Sequence, residues 1–163
     1  FLSITELNVP VIAAINGHAV GAGLCLSLAC DLRIAVDSAK LGLNFVLLGL
    51  HPGMAATYFL PRLVGPAKAA ELLFSGKILT AEEASKIGLI SQVVSKENFW
   101  SVVENVAQQI LAAGSEAISM LKESLRINAQ VDLKTCLLRE AKCQALNYAS
   151  PEFLERITAA KKK

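Results

Sequence analysis

The candidate for chemistry that stands out in this chain is Gly21-Ala22-Gly23, and the chemistry belongs to its backbone. The three residues sit within Asn16-Gly17-His18-Ala19-Val20-Gly21-Ala22-Gly23-Leu24-Cys25-Leu26. An apolar run from Val11 to Ile15 leads in, and a helix-like apolar run leads out. The first N–H groups of a helix have no intrahelical acceptor and lie at the positive end of its dipole. Such groups can hold an anion or a developing oxyanion. Small residues let a ligand come close to the backbone. The same three residues also suit plain close packing where a strand turns into a helix, so the local pattern leaves both readings open.

Side chains offer less. His51, in His51-Pro52-Gly53, could act as an acid or base in a loop, but a solvated histidine fits the position as well. His18 follows an Asn-Gly turn and reads as structural or exposed. Cys25 stands one turn into the helix, where a thiol pKa can fall, yet no histidine lies nearby in sequence to activate it. A core cysteine is the plainer reading. Asp31, between apolar segments, reads as a buried, hydrogen-bonded turn residue. Glu82-Glu83 opens a helix, and Glu104, Glu116, Glu123 and Glu140 fall on solvated helical faces. Residue types alone therefore mark no acid/base pair.

The elements that would position these groups follow from periodicity and breakers. Pro10 to Ile15 reads as a buried strand, Gly21 to Cys30 as a short buried helix and Asp31 to Val36 as the next strand. Leu41 to Asn44 suggests a further short strand, and Leu47 to Gly53 a loop. Strand, helix, strand in this order favours α/β packing. Helices are expected from Met54 to Leu63 and from Pro66 to Phe74, followed by an extended Lys77 to Leu79. Thr80-Ala81-Glu82-Glu83 is a capping box, with Gly88 closing its helix. Leu89 to Val94 is a strand. Three helices then follow, broken at Gly114-Ser115 and near Gln130 to Asp132. In the third, Leu133, Leu137, Leu138, Ala141 and Ala145 make a core stripe. A last helix starts at Ser150-Pro151-Glu152.

Composition narrows the class. Of 163 residues, 53% are hydrophobic and 18% charged, which fits a globular chain rather than a disordered one. A net charge of +2 is too small for a nucleic-acid footprint. No apolar run is long enough to span a membrane. Cys25, Cys30, Cys136 and Cys143 have no C-x-x-C spacing, and the chain has two histidines, so no metal site is expected. Unpaired cysteines, read mostly as small core hydrophobes, suit a reducing, cytoplasmic compartment. The chain opens on Phe1 already inside a pattern, so a mitochondrial leader is not legible from it.

Several stretches together resemble the crotonase (enoyl-CoA hydratase/isomerase) superfamily. They are Pro10-Val11-Ile12-Ala13-Ala14-Ile15-Asn16-Gly17, Gly21-Ala22-Gly23 and Cys30-Asp31-Leu32-Arg33-Ile34-Ala35. The likeness continues through Ala39-Lys40-Leu41-Gly42, Leu48-Gly49-Leu50-His51-Pro52-Gly53 and Leu63-Val64-Gly65. Gly76, Thr80-Ala81-Glu82-Glu83-Ala84, Gly88-Leu89-Ile90 and Ser150-Pro151-Glu152-Phe153 complete it. The resemblance implies an α/β fold: a ββα spiral core over residues 1–95, lacking the family's N-terminal part, then a helical trimerisation region over 96–163. It also implies self-association as a trimer or hexamer, acyl-CoA as the ligand, and no cofactor beyond that coenzyme A thioester.

The resemblance further implies that two peptide N–H groups polarise the thioester carbonyl and stabilise an enolate. One belongs to Ala22; the other comes from a segment before Phe1. Gly21, Gly23, Leu24, His51, Pro52 and Gly53 become substrate-binding positions, and Lys163 falls in a basic segment that meets the CoA phosphates. Hydratases of the family place glutamates where this chain has Cys25 and Phe45, and neither replacement can hold a water as a carboxylate does. The expected function is therefore acyl-CoA binding with enolate stabilisation, by a lyase or isomerase of this family in which ordinary hydration is disfavoured. The alternative is a non-catalytic acyl-CoA-binding or assembly subunit. A purely structural helical module fits poorly with the small-residue turn.

Overall fold

Short apolar runs punctuated by glycine give way along the chain to long amphipathic ones, and the elements follow that change. The computed structural model describes residues 1–161. A helical turn α1 (Leu2–Thr5) precedes β1 (Ile12–Ile15), β2 (Ala19–Val20), α2 (Ala22–Leu28), β3 (Leu32–Val36) and β4 (Lys40–Gly42). A 3-10 turn, Phe45–Leu48, leads to α3 (Ala56–Val64) and α4 (Pro66–Ser75). β5 (Ile78–Thr80), α5 (Ala81–Lys86) and β6 (Gln92–Val94) come next. The chain ends in α6 (Phe99–Leu111), α7 (Ser115–Asn128), α8 (Leu133–Tyr148) and α9 (Pro151–Ala160).

The strands form two three-stranded sheets among the described residues, in the orders β1-β3-β6 and β2-β4-β5. β1 and β3 run parallel with Ile12 opposite Leu32 and Ile15 opposite Ala35. Parallel neighbours need a crossover, and α2 supplies it. In the second sheet β2 pairs parallel with β4, and β4 antiparallel with β5. Leu24, Cys25 and Leu28 of α2 pack into one core with Ile34, Ala35, Leu41, Leu60, Leu79 and Leu89. That core fixes α2, and hence the turn that starts it.

Two compact units divide the chain: residues 1–7 with 11–107, and residues 8–10 with the helical stretch from Gln108 onward. The first holds both sheets and the Gly21–Gly23 turn. In the second, α7 packs on α8 and α8 on α9. Arg139 joins α8 to α7 through Glu123 at 2.8 Å and the Ser124 hydroxyl at 3.1 Å. Asp132 and Ser150 cap α8 and α9, accepting from Thr135 N–H and Phe153 N–H. The Thr80–Glu83 capping box forms in both directions, at 3.1 and 2.8 Å.

Four expectations need correction. The Leu133, Leu137, Leu138 stripe is not core: these residues are 73%, 56% and 64% exposed. Periodicity identifies an apolar face but not whether this chain covers it. Of the cysteines, Cys25 alone is buried; Cys30, just beyond α2, and Cys136 and Cys143, on α8, are half-buried. Asp31 is exposed rather than buried, although it is hydrogen-bonded: its Oδ2 accepts from Val11 N–H at 2.7 Å. The segment read as a loop from Leu47 begins inside the 3-10 turn, because Leu47 N–H and Gly49 N–H reach back to the Asn44 and Val46 carbonyls.

One glycine is required by packing rather than by its dihedral angles. A Cβ on Gly42 would run into Ile78 Cδ1, with the Lys77 carbonyl at 3.1 Å and Ile78 Cα at 3.2 Å. Gly42→Ala should therefore cost about 1–3 kcal/mol, as overpacking does, and urea unfolding midpoints measure it. A variant as stable as the natural protein would mean that β4 and β5 can separate freely.

Candidate active site

The Gly21–Gly23 turn is built by β4 on one side and α2 on the other. Gly21 is the N-cap of α2, at φ 57° and ψ −119°, a conformation that side-chain-bearing residues rarely adopt. Its N–H donates to the Gly42 carbonyl at 2.9 Å, and its carbonyl accepts from Cys25 N–H at 3.0 Å. Cys25 is thus the first residue of α2 whose N–H is used inside the helix. No acceptor among the described residues takes the N–H of Ala22 or Gly23, and no side chain caps the helix. Ala22 and Gly23 are exposed, so these donors face open space. Leu24 shares the first turn, but its side chain belongs to the core, so at most its backbone could meet a ligand.

The sequence-distant candidates converge on this turn. A Cβ on Gly21 would lie 3.8 Å from Cζ of Phe45 and 3.9 Å from Oδ1 of Asn44. The Phe45 ring therefore stands against the turn itself. Gly76 makes this approach possible from behind: it sits at φ 63°, and a Cβ there would meet Leu47 Cγ at 2.7 Å. One turn into α2, Cys25 is fully buried, and its thiol contacts the Gly53 carbonyl at 3.8 Å. Burial pushes the Cys25 thiol pKa up, so it is a neutral group and a poor nucleophile at neutral pH.

Gly53 carries more structure than its loop composition suggests. Its carbonyl also accepts from Ala56 N–H at 3.0 Å. Met54 and Ala55 then take left-handed conformations, φ 55° and 57°, before α3 begins. Two consecutive non-glycine residues there are strained, and strain of this kind clusters at functional sites. Nothing in Met54-Ala55 announces it in sequence. His51 is exposed and Pro52 half-buried in the same loop. His18 lies elsewhere: its Nδ1 accepts from Lys40 N–H at 3.1 Å, tying β2 to β4. Lys163 lies outside the described residues.

Gly21, Ala22, Cys25, Phe45 and Gly53 thus form one connected cluster with open peptide donors, an aromatic wall and a buried neutral thiol. A thioester carbonyl could be polarised there by peptide N–H groups. Neither Cys25 nor Phe45 could hold a water as a base.

Comparison with known proteins places the chain in a family setting. A sequence model of enoyl-CoA hydratase/isomerase matches residues 1–159. A crotonyl-CoA hydratase from Syntrophomonas wolfei is 39% identical over 159 residues, covering 98% of this chain and 61% of that protein. The crystal structure of an enoyl-CoA hydratase from Bacillus anthracis superposes with a TM-score of 0.94 at 40% identity, over 98% of this chain and 62% of that one. A protein from Thermobifida fusca YX, solved in complex with CoA, gives a TM-score of 0.84 at 33% identity, over 99% of this chain and 60% of that one. The chain spans about three-fifths of the length of these relatives.

Proposed function

The chain belongs to the enoyl-CoA hydratase/isomerase family, and on that premise we propose that it binds an acyl-CoA thioester and stabilises its enolate through the Ala22 N–H. The open donors at the Gly21–Gly23 turn, walled by Phe45, carry this reading. A peptide N–H aimed at a carbonyl oxygen strengthens its hydrogen bond as charge develops there. The Ala22 side chain is incidental; the donor is the peptide. Gly21 and Gly23 allow the approach, and Pro52 and Gly53 form the facing loop, with His51 at its exposed rim. No separate cofactor enters, because the coenzyme A thioester is itself the substrate.

The reaction is isomerisation or decarboxylation, each of which passes through a thioester enolate, or thioester hydrolysis, which passes through a tetrahedral oxyanion; all three build negative charge on the oxygen that the Ala22 N–H meets. Hydration by two glutamates is disfavoured, since a neutral thiol and a phenyl ring occupy their positions. The buried state of Cys25 also supports a second reading, a non-catalytic acyl-CoA-binding or assembly subunit. A calorimetric titration of the full-length protein with acetyl-CoA tests what both readings share. Saturable binding is expected, and no measurable binding at millimolar ligand would remove both.

Residues 1–95 serve in this reading as the spiral core and 96–163 as the helical region for self-association. The exposed Leu121, Leu125, Leu137 and Leu138 support it, since a broad apolar helical face is costly in water. Sedimentation should find a trimer or hexamer, and a stable monomer at micromolar concentration would contradict it. No helix among the described residues is long and apolar enough to cross a membrane, and a cytoplasmic location accords with the free cysteines.

A further inference from the structure

Arg33 is a charged side chain that the chemistry above leaves without a task. It stands on β3 and is only 4% exposed. A buried charge is retained where its hydrogen bonds are met. Here Nε donates to the Leu89 carbonyl at 2.8 Å, and Nη1 donates to the Cys30 carbonyl at 2.8 Å and the Ser27 carbonyl at 3.4 Å. Ser27 lies in the last turn of α2, and Cys30 lies just beyond it. Leu89 follows α5. Carbonyls at a helix end lack intrahelical donors, and the planar guanidinium fork satisfies several at a fixed angle.

The other end of the same helix carries Ala22. We propose that Arg33 is the positioning residue for the Ala22 N–H, tying the trailing end of α2 to the segment after α5 and so setting the angle at which the leading peptide meets a thioester carbonyl. The inference rests on the reading of Ala22 given above. α2 has seven residues and a length of about 10 Å. A tilt of about 6° at its trailing end moves Ala22 by about 1 Å, and misplacement of that size can cost about 10²-fold in rate. The Gly21 to Gly42 hydrogen bond steadies the leading end, and Arg33 steadies the other.

The test is isotope-edited infrared spectroscopy of carbonyl-labelled butyryl-CoA bound to the full-length protein, its Arg33→Lys variant and its Arg33→Met variant. Thermal melts identify the variants that fold. The red shift of the thioester C=O stretch should be largest in the natural protein, partly lost in Arg33→Lys and mostly lost in Arg33→Met. Affinity for coenzyme A itself should hold in Arg33→Lys. A role in stability alone would lower the melting temperature and leave the shift intact. A full red shift in folded Arg33→Lys and Arg33→Met overturns the role of Arg33 while leaving Ala22 standing. No red shift in the natural protein overturns the Ala22 reading and this one with it. If Arg33→Met does not fold, Arg33→Lys decides alone, because an ammonium lacks the planar fork that holds the Leu89 and Cys30 carbonyls at a fixed angle.

Discussion

The double variant Cys25→Glu/Phe45→Glu of the full-length protein should hydrate crotonyl-CoA about 10²–10⁴-fold faster than the natural sequence, the range expected of positioned acid/base groups. Both positions adjoin the Gly21–Gly23 turn: Cys25 through its place in α2, Phe45 through its ring against Gly21. A carboxylate at each would put two water-holding groups beside the same donors. The Cys25 thiol cannot substitute, since burial raises its pKa and it contacts the Gly53 carbonyl. A glutamate there must displace that contact, and because Cys25 has no exposure the added volume has to be taken up by a shift of the Gly53 loop. Each single variant should gain much less than the pair, because such residues act as a unit. Loss of the conjugated enoyl absorbance follows the reaction. A natural protein that already hydrates as fast as the double variant would show that Cys25 and Phe45 do not disable the chemistry.

On that double-variant background, Ala22→Pro should lower hydration about 10²–10³-fold, the usual effect of deleting one oxyanion donor. Proline removes the N–H and little else here. Ala22 is the first residue of α2, a position at which proline is favoured and where the lost N–H has no intrahelical partner. Proline disfavours the α region for the residue before it by clashing with that residue's N–H and Cβ; Gly21 has no Cβ, and its ψ of −119° keeps it outside the α region. Ala22→Gly should keep its activity, since the peptide donor remains. The same absorbance assay compares the two, with thermal melts confirming that α2 still forms. Equal activity in Ala22→Pro and Ala22→Gly would place the donor elsewhere.

What was legible in the sequence was local. The helix start at Ala22, the reciprocal Thr80–Glu83 cap and the Ser150-Pro151 start of α9 are each decided by residues a few positions apart. Strand β2 is two residues long and exists through its pairing with Leu41 and Gly42, which no local pattern encodes. The left-handed pair Met54-Ala55 is held by contacts around Gly53, not by residue type. Arg33 alternates within a strand like any polar residue, yet its side chain runs inward because the carbonyls of Ser27, Cys30 and Leu89 await it. In the candidate site, the small-residue turn was visible, but the approach of Phe45 to Gly21 depends on β4 and Gly76 and reaches the sequence only as a family likeness. The leucines of α8 mark an apolar face in either medium, so periodicity finds the face and leaves its exposure undecided.

The central claim is that a peptide N–H at the Gly21–Gly23 turn polarises a thioester carbonyl. The measurement that meets it most directly is the C=O stretch of carbonyl-labelled butyryl-CoA, free in buffer and bound to the natural full-length protein and to Ala22→Pro. A clear red shift on binding to the natural protein, largely absent in Ala22→Pro, is the predicted result. Bound thioester with an unshifted carbonyl in the natural protein, or an equal shift in Ala22→Pro, would contradict it.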